Sequence, residues 1–365
     1  MKRFFLLTLA SAALLGASAA PVKTYEVKSP DGRLALVLTA GERLSFTVAR
    51  DGETLVAPSE MALTLSTGEV LGESPRVRSA RRRAVTETID APLYRQSRFD
   101  AAYNELDLRL RGDYGILARA YDDGVCYRFY TERDGELTIV DETAQLNFEG
   151  DPSAYIPYSK TEIPMRTSFE NTYEYAPLSK FRTQTVAFMP VLVDLGERGY
   201  VLYTESDVEA YPGVYLTYDK EAKGFAARFA EYPTETSLTK RFQDVVERSA
   251  DYIARVDGRR SYPWRIVAYA ATATELPVND MVWQTAEASR VADASWVRDG
   301  KIAWDWWNNW GVYGVDFKSG INTETYKYFI DFAAANGIEY VALDEGWGVR
   351  DGDVMHVVPE IDLPE

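Results

Sequence analysis

Two stretches of the chain set carboxylates and amides beside large aromatic rings. One runs Asp305-Trp306-Trp307-Asn308 and is matched downstream by Asp344-Glu345-Gly346-Trp347. A sugar asks for this combination: the C–H face of the ring stacks on a flat apolar surface while its hydroxyls find acceptors. Asp305, Trp306, Asn308, Glu345 and Trp347 are therefore the candidate substrate-binding residues. Each tryptophan alone is as much a core candidate as a ligand, so the cluster carries the reading. The other stretch is Phe169-Glu170-Asn171-Thr172-Tyr173-Glu174-Tyr175. Two carboxylates and an amide on a loop are either hard-oxygen ligands for calcium or an ordinary solvated loop. Asp351-Gly352-Asp353 lacks the rest of a calcium-binding loop and reads as a turn.

The rest of the composition removes competing chemistries. Cys126 is the one cysteine and His356 the one histidine, so there is no internal disulfide, no CxxC pair and no HExxH zinc helix. Serine-histidine chemistry would hang on a single residue near the C-terminus, which leaves polar chemistry to carboxylates. The formal net charge of −16 repels phosphate backbones and anionic lipid, making nucleic acid and acidic membranes poor partners. Neutral ligands and divalent cations remain.

Residues 1–19 have the form of a secretory leader: Lys2-Arg3, an apolar run from Phe4 to Leu15, then Ala17-Ser18-Ala19 ahead of Ala20-Pro21. The apolar run is short of the roughly 20 residues a membrane span needs. No cysteine near the cut offers a lipid anchor, and no later stretch is apolar enough to span. The chain is expected to be exported to a bacterial periplasm.

The elements that must position the clusters follow from hydrophobic spacing. From Thr24 to about Arg265, short runs with apolar residues at every second position alternate with turn signals, as in Leu34-Ala-Leu-Val-Leu, Leu44-Ser-Phe-Thr-Val and Asp51-Gly52. This predicts a large antiparallel β-sandwich over 20–275. The texture changes near Leu276, and all eight tryptophans fall at or after Trp264. Helical spacing runs from Val278 to Arg290. Ile302-Ala-Trp-Asp-Trp-Trp reads as a strand, Thr323 to about Asn336 as a helix capped by Asn322 with Gly337 past its end, and Tyr340 to Trp347 as a second buried strand. Strand, helix and strand make one βαβ unit with parallel strands, whose carboxyl ends are where ligands bind in such sheets. One such unit cannot cover its own edges, so 276–365 is expected to be a linker helix and the front part of a larger parallel sheet in a longer protein, the alternative being a small appendix packed on the sandwich. The fold class is thus mainly β, a sandwich followed by the first βαβ unit.

The run Lys301-Ile-Ala-Trp-Asp-Trp-Trp-Asn-Asn-Trp310, then Gly-Val-Asp-Phe, Gly320-Ile-Asn-Thr-Glu-Thr-Tyr-Lys-Tyr, Ile-Asp-Phe-Ala-Ala and Leu343-Asp-Glu-Gly-Trp347 resembles the start of the catalytic barrel of glycoside hydrolase family 97. The resemblance extends upstream through Tyr252-Ile-Ala, Tyr262-Pro-Trp-Arg265 and Ser289-Arg290 to Ser295-Trp296, and through the sandwich. It implies that 276–365 is a linker helix and the start of a truncated (β/α)8 barrel, in an enzyme hydrolysing terminal α-linked glucose or galactose residues of oligosaccharides. It also implies a calcium ion with one sandwich carboxylate, Glu170, or Glu174 if the register shifts. The family's general acid and its nucleophile or base fall beyond residue 365, so no residue here receives a catalytic role and the chain by itself is expected to be inactive. Trp304-Asp-Trp-Trp-Asn308 looks more like the retaining, α-galactosidase-like branch. The rival reading is a non-catalytic carbohydrate-binding sandwich.

Overall fold

The computed structural model describes residues 22–91, 93–159, 169–238, 244–349 and 356–362. The expected leader (1–19) and the Asp351-Gly-Asp353 turn lie outside the described residues. The chain separates into two units. One joins the chain up to Thr88 with Asp100–Ala230 and Tyr252–Ala286; the other joins Ile89–Phe99, Glu231–Asp251 and Glu287–Glu365.

The first unit is built as its alternation demands. Strand Leu34–Ala40 buries Leu34, Leu36 and Leu38 and leaves the intervening residues half-buried. It pairs antiparallel with Leu44–Arg50, setting Leu36 opposite Val48 and Leu38 opposite Phe46. Each such side chain contributes about 2 kcal/mol through burial. The turn after this pair sits at Asp51 and Gly52, both at positive φ (50° and 88°), the backbone a tight hairpin requires. Strand Gly124–Ala144, 21 residues long, is the hub. It pairs antiparallel with Tyr114–Tyr121, Glu53–Leu65, Ala254–Ser261 and Trp264–Ala270. Among the described residues, eighteen strands join one hydrogen-bonded network. Its inner faces meet in a continuous core that includes Phe46, Leu63, Ile116, Phe129, Val201 and Phe225. Cys126 is buried in a second cluster with Tyr103, Tyr121, Trp264 and Ile266, and burial pushes its thiol up to about 12, so it packs as a small apolar residue.

One ion cluster is sealed inside the sandwich. Arg265 is fully buried and forks onto Glu142, with Nε–Oε1 2.9 Å and Nη2–Oε2 2.8 Å, while its Nη1 reaches Glu205. The two carboxylates hold the guanidinium charged despite its burial. The helical spacing over Val278–Arg290 yields only a short helix, Met281–Thr285. Its last residue turns its hydroxyl inward, donating to Met281 O (2.7 Å) and sharing a hydrogen bond with Ser206 Oγ (2.8 Å). No helix among the described residues is long and apolar enough to cross a membrane.

The second unit contains the expected βαβ order: strand Ile302–Trp304, helix Thr323–Ala335 and strand Tyr340–Ala342, with the strands parallel and Ala303 opposite Val341. Asn322 Oδ1 accepts the Thr325 N–H (2.9 Å) and caps the helix. At the other end Gly337 turns to φ 62°, and Ile338 N–H reaches back to Ala333 O (2.9 Å), closing the helix with the left-handed glycine that such ends favour. Both strands are shorter than their sequences suggest. The first stops at Trp304 because Asp305–Asn308 winds into a single 3₁₀ turn, followed by Asn309 and Trp310 at positive φ (56° and 53°). The second stops at Ala342, since Asp344 Oδ1 takes its neighbour's Glu345 N–H (2.7 Å) and Gly346 adopts φ 103°. Nor is it a buried strand: Tyr340 is 42% exposed. The unit also carries a separate antiparallel hairpin, Pro233–Leu238 with Asp244–Ser249.

Candidate functional site

The two parallel strands end side by side, and Asp305 ties their ends together. Its side chain is fully buried, and Oδ1 accepts the Asp344 backbone N–H from the second strand's exit (2.9 Å). The Trp306 backbone N–H and the Trp310 indole N–H also face this carboxylate, while the buried Tyr326 hydroxyl has no hydrogen-bond partner among the described residues. Burial pushes the Asp305 carboxyl up; the Asp344 N–H pulls it back, and the charge of Asp344 adds to the rise. Tyr326, in the first turn of the helix, is pushed up to about 12 by burial and by the charges of Asp305 and Asp344. The strand ends thus set a carboxylate, an indole N–H and a phenol near one another.

Around it the other residues turn outward. Trp306 is 44% exposed, with its ring 4.5 Å from that of Trp310 at 62°. Trp307 is 85% exposed, and Asn308 is exposed with its amide donating to Gly311 O. Glu345 is exposed; Trp347 is half-buried, and its carbonyl accepts the Val358 N–H (2.9 Å). The structure therefore brings Asp305, Trp306, Asn308 and Glu345 to one end of the strand pair but gives them different stations. Asp305 faces inward, while the other three face solvent and offer ring faces and hydrogen-bonding groups. An open apolar groove of about 750 Å³ flanks the helix, lined by Trp304, Trp307, Phe329 and Phe332 among others, with Asn308 as a polar side chain on its wall.

Trp310, Tyr326 and Asp344 were not singled out from sequence as site residues. The signal for Tyr326 lies in its place one helical turn after the Asn322 cap, which aims it toward the strand ends. Trp310 and Asp344 lie within the quoted runs, but only the turn geometry shows that they meet Asp305.

Glu170 belongs to the first unit. It lies exposed on the loop ahead of strand Glu174–Pro177, and Glu174 is paired with Arg182 (2.6 Å). Calcium wants six to eight oxygen ligands. Among the described residues no group of three or more histidine, cysteine, aspartate or glutamate side chains is arranged to hold a metal. These residues do not by themselves fit the ion.

Comparison with known proteins adds the following. The family described as Glycosyl-hydrolase 97 N-terminal matches residues 27–287, and the one described as Glycoside hydrolase 97 matches 306–365. A protein of Bacteroides thetaiotaomicron named retaining alpha-galactosidase is 41% identical over 352 residues, covering 94% of this chain and 53% of its own length. A probable retaining alpha-galactosidase of Streptomyces bingchenggensis is 29% identical over 327 residues, covering 87% and 45%. Among solved structures, a family 97 enzyme from Pseudoalteromonas sp. strain K8 in complex with acarbose superposes with a TM-score of 0.76 at 18% identity, covering 93% of this chain and 51% of that one. A beta-arabinopyranosidase gives 0.69 at 21% identity, covering 87% and 50%. The chain spans about half the length of the relatives it matches.

Proposed function

Because the chain belongs to glycoside hydrolase family 97, we propose that it forms part of an exported, periplasmic glycosidase that removes terminal α-linked galactose from oligosaccharides with retention at the anomeric carbon. The observation that carries this reading is the 41% identity to a retaining alpha-galactosidase across nearly the whole chain. The solved structures, at lower identity, support the fold alone.

A retaining glycosidase uses two carboxyl groups about 5–5.5 Å apart, one protonating the glycosidic oxygen and one attacking the anomeric carbon. We assign neither part to a described residue and propose that both carboxylates lie in the portion of the relatives' length that this chain does not span. The residues at the strand ends bind and orient. Trp306 and Trp347 offer ring faces to the sugar, Asn308 and Glu345 bond its hydroxyls, and Asp305 holds the two strand ends in register beneath them. The outward exposure of Trp306, Asn308 and Glu345 supports this division. Calcium enters as an ion that would draw on Glu170 together with oxygens from outside the described residues, and no step above depends on it.

The test is a paired assay on p-nitrophenyl α-galactoside and α-glucoside, with protein of the relatives' full length. The expected result is a clear kcat/KM preference for the galactoside. A preference for the glucoside would overturn the substrate, and no turnover of either would overturn the activity. The 365-residue chain alone is expected to hydrolyse neither.

A further inference from the structure

The first unit carries a cleft of about 650 Å³ whose rim holds Arg81, Arg82, Arg83, Arg109 and Arg260. Five arginines line one cleft in a chain of net charge −16. The carboxylates beside them are already engaged. Glu105 bridges Arg83 (2.5 Å) and Arg119 (2.9 Å). Asp107 accepts the Tyr130 hydroxyl (2.6 Å) and pairs with Arg109 (3.2 Å), which also reaches Glu132 (3.4 Å). Cationic capacity is left over. The Arg81 side chain has no hydrogen-bond or ion-pair partner among the described residues. Arg82 donates from Nε to Glu26 O (2.9 Å) and pairs with no carboxylate among them. Arg260 gives its donors to the backbone oxygens of Ser261 (2.9 Å) and Glu209 (2.8 Å), with its guanidinium 5.2 Å from the Tyr262 ring centre.

The floor is apolar, formed by Leu117 and Tyr130. Gly115 makes this possible: a Cβ there would come within 2.3 Å of the Tyr130 hydroxyl and 2.4 Å of the ring carbon bearing it. The phenol ring lies across the bare glycine, a flat surface at the base of a cationic rim.

We propose that this cleft binds a small anionic saccharide, a mono- or disaccharide bearing a carboxylate or sulfate group. Guanidinium forks match both anions bidentately, and an aromatic floor suits the C–H face of a pyranose. The volume lies in the range of small-molecule sites. Salt screens the acidic remainder of the surface beyond about 8 Å, so a small ligand feels the rim, whereas a long polyanion would run onto repelling surface. The saccharide half of the proposal rests on the glycosidase reading; the anion half rests on the arginines alone.

Calorimetric titration of the 365-residue chain at low salt tests it, with galacturonic acid, galactose 6-sulfate, galactose and inorganic sulfate as separate probes. At least one charged sugar is expected to bind about tenfold or more tightly than galactose and than inorganic sulfate, and to weaken as salt rises. Whichever charged sugar binds tighter names the group. Arg81→Ala removes no side-chain hydrogen bond or ion pair among the described residues and is expected to weaken that binding about tenfold. Three results would overturn the proposal: galactose binding as tightly as its charged derivatives, inorganic sulfate matching them, or Arg81→Ala binding as wild type does. None of these bears on α-galactoside turnover, so the glycosidase reading stands or falls separately.

Discussion

Burying Asp305 costs desolvation that the N–H groups facing it return only in part, so the residue is retained against its own solvation preference. Asp305→Ala leaves the Asp344 N–H without its acceptor and is expected to cost about 1–3 kcal/mol. Asp305→Asn, which keeps an oxygen in place, should cost less. Hydrogen exchange at the Asp344 amide reads the difference directly, and an unchanged rate in the alanine variant would show that the bond does not hold the strand ends. A half-buried carboxyl, Asp123, gives a pH prediction. Burial raises it to about 6, with Asp280 and Asp122 adding charge, although Asn279 Nδ2 donates to its Oδ2 (3.1 Å). A carboxyl with a folded pKa above its unfolded value favours the fold when protonated. Stability from this group is therefore full below pH 3.8 and is lost as pH rises to about 6, by about 3 kcal/mol. Asp123→Asn should raise the unfolding midpoint at pH 7.5 and change it little at pH 4. Equal effects at both values would contradict the shift. Residue type and spacing marked Asp305 as important, but no sequence pattern says on which side of a 3₁₀ turn a carboxylate falls, and so it was expected to face a ligand.

At the scale of elements, the helix Thr323–Ala335 was legible because both its ends are written in local chemistry: an asparagine cap and a left-handed glycine. Asn322→Ala is expected to cost about 1 kcal/mol and to speed exchange in the first turn of the helix, while the distal turn stays protected. The sandwich strands were legible for a similar reason, since Leu34, Leu36 and Leu38 declare one buried face by alternation alone. The strands Ile302–Trp304 and Tyr340–Ala342 were read as too long. Apolar and aromatic residues continue past both ends, but the chain turns where aspartates bond backbone N–H groups and where Asn309, Trp310 and Gly346 take positive φ. Composition carries the strand signal, and turn chemistry overrides it.

Across the whole molecule, the least legible feature is the ion cluster of the sandwich core. Arg265 lies in the apolar run Trp264-Arg265-Ile266-Val267, and its partners Glu142 and Glu205 are 123 and 60 residues away in sequence. No local window can pair them; the topology does. Glu142→Ala leaves a buried guanidinium with one carboxylate fewer and is expected to cost about 3–5 kcal/mol, read as a shifted denaturant midpoint. A loss under 1 kcal/mol would mean that water reaches Arg265. The family itself was legible from the Trp304–Asn308 and Leu343–Trp347 runs, and the matches over residues 27–287 and 306–365 agree with it. The chemistry proposed on that basis is decided by the first sugar released. Proton NMR of p-nitrophenyl α-galactoside hydrolysis by protein of the relatives' full length should show α-galactose first, with the β anomer growing in only by mutarotation. Release of β-galactose first, or of no galactose at all, would contradict a retaining α-galactosidase.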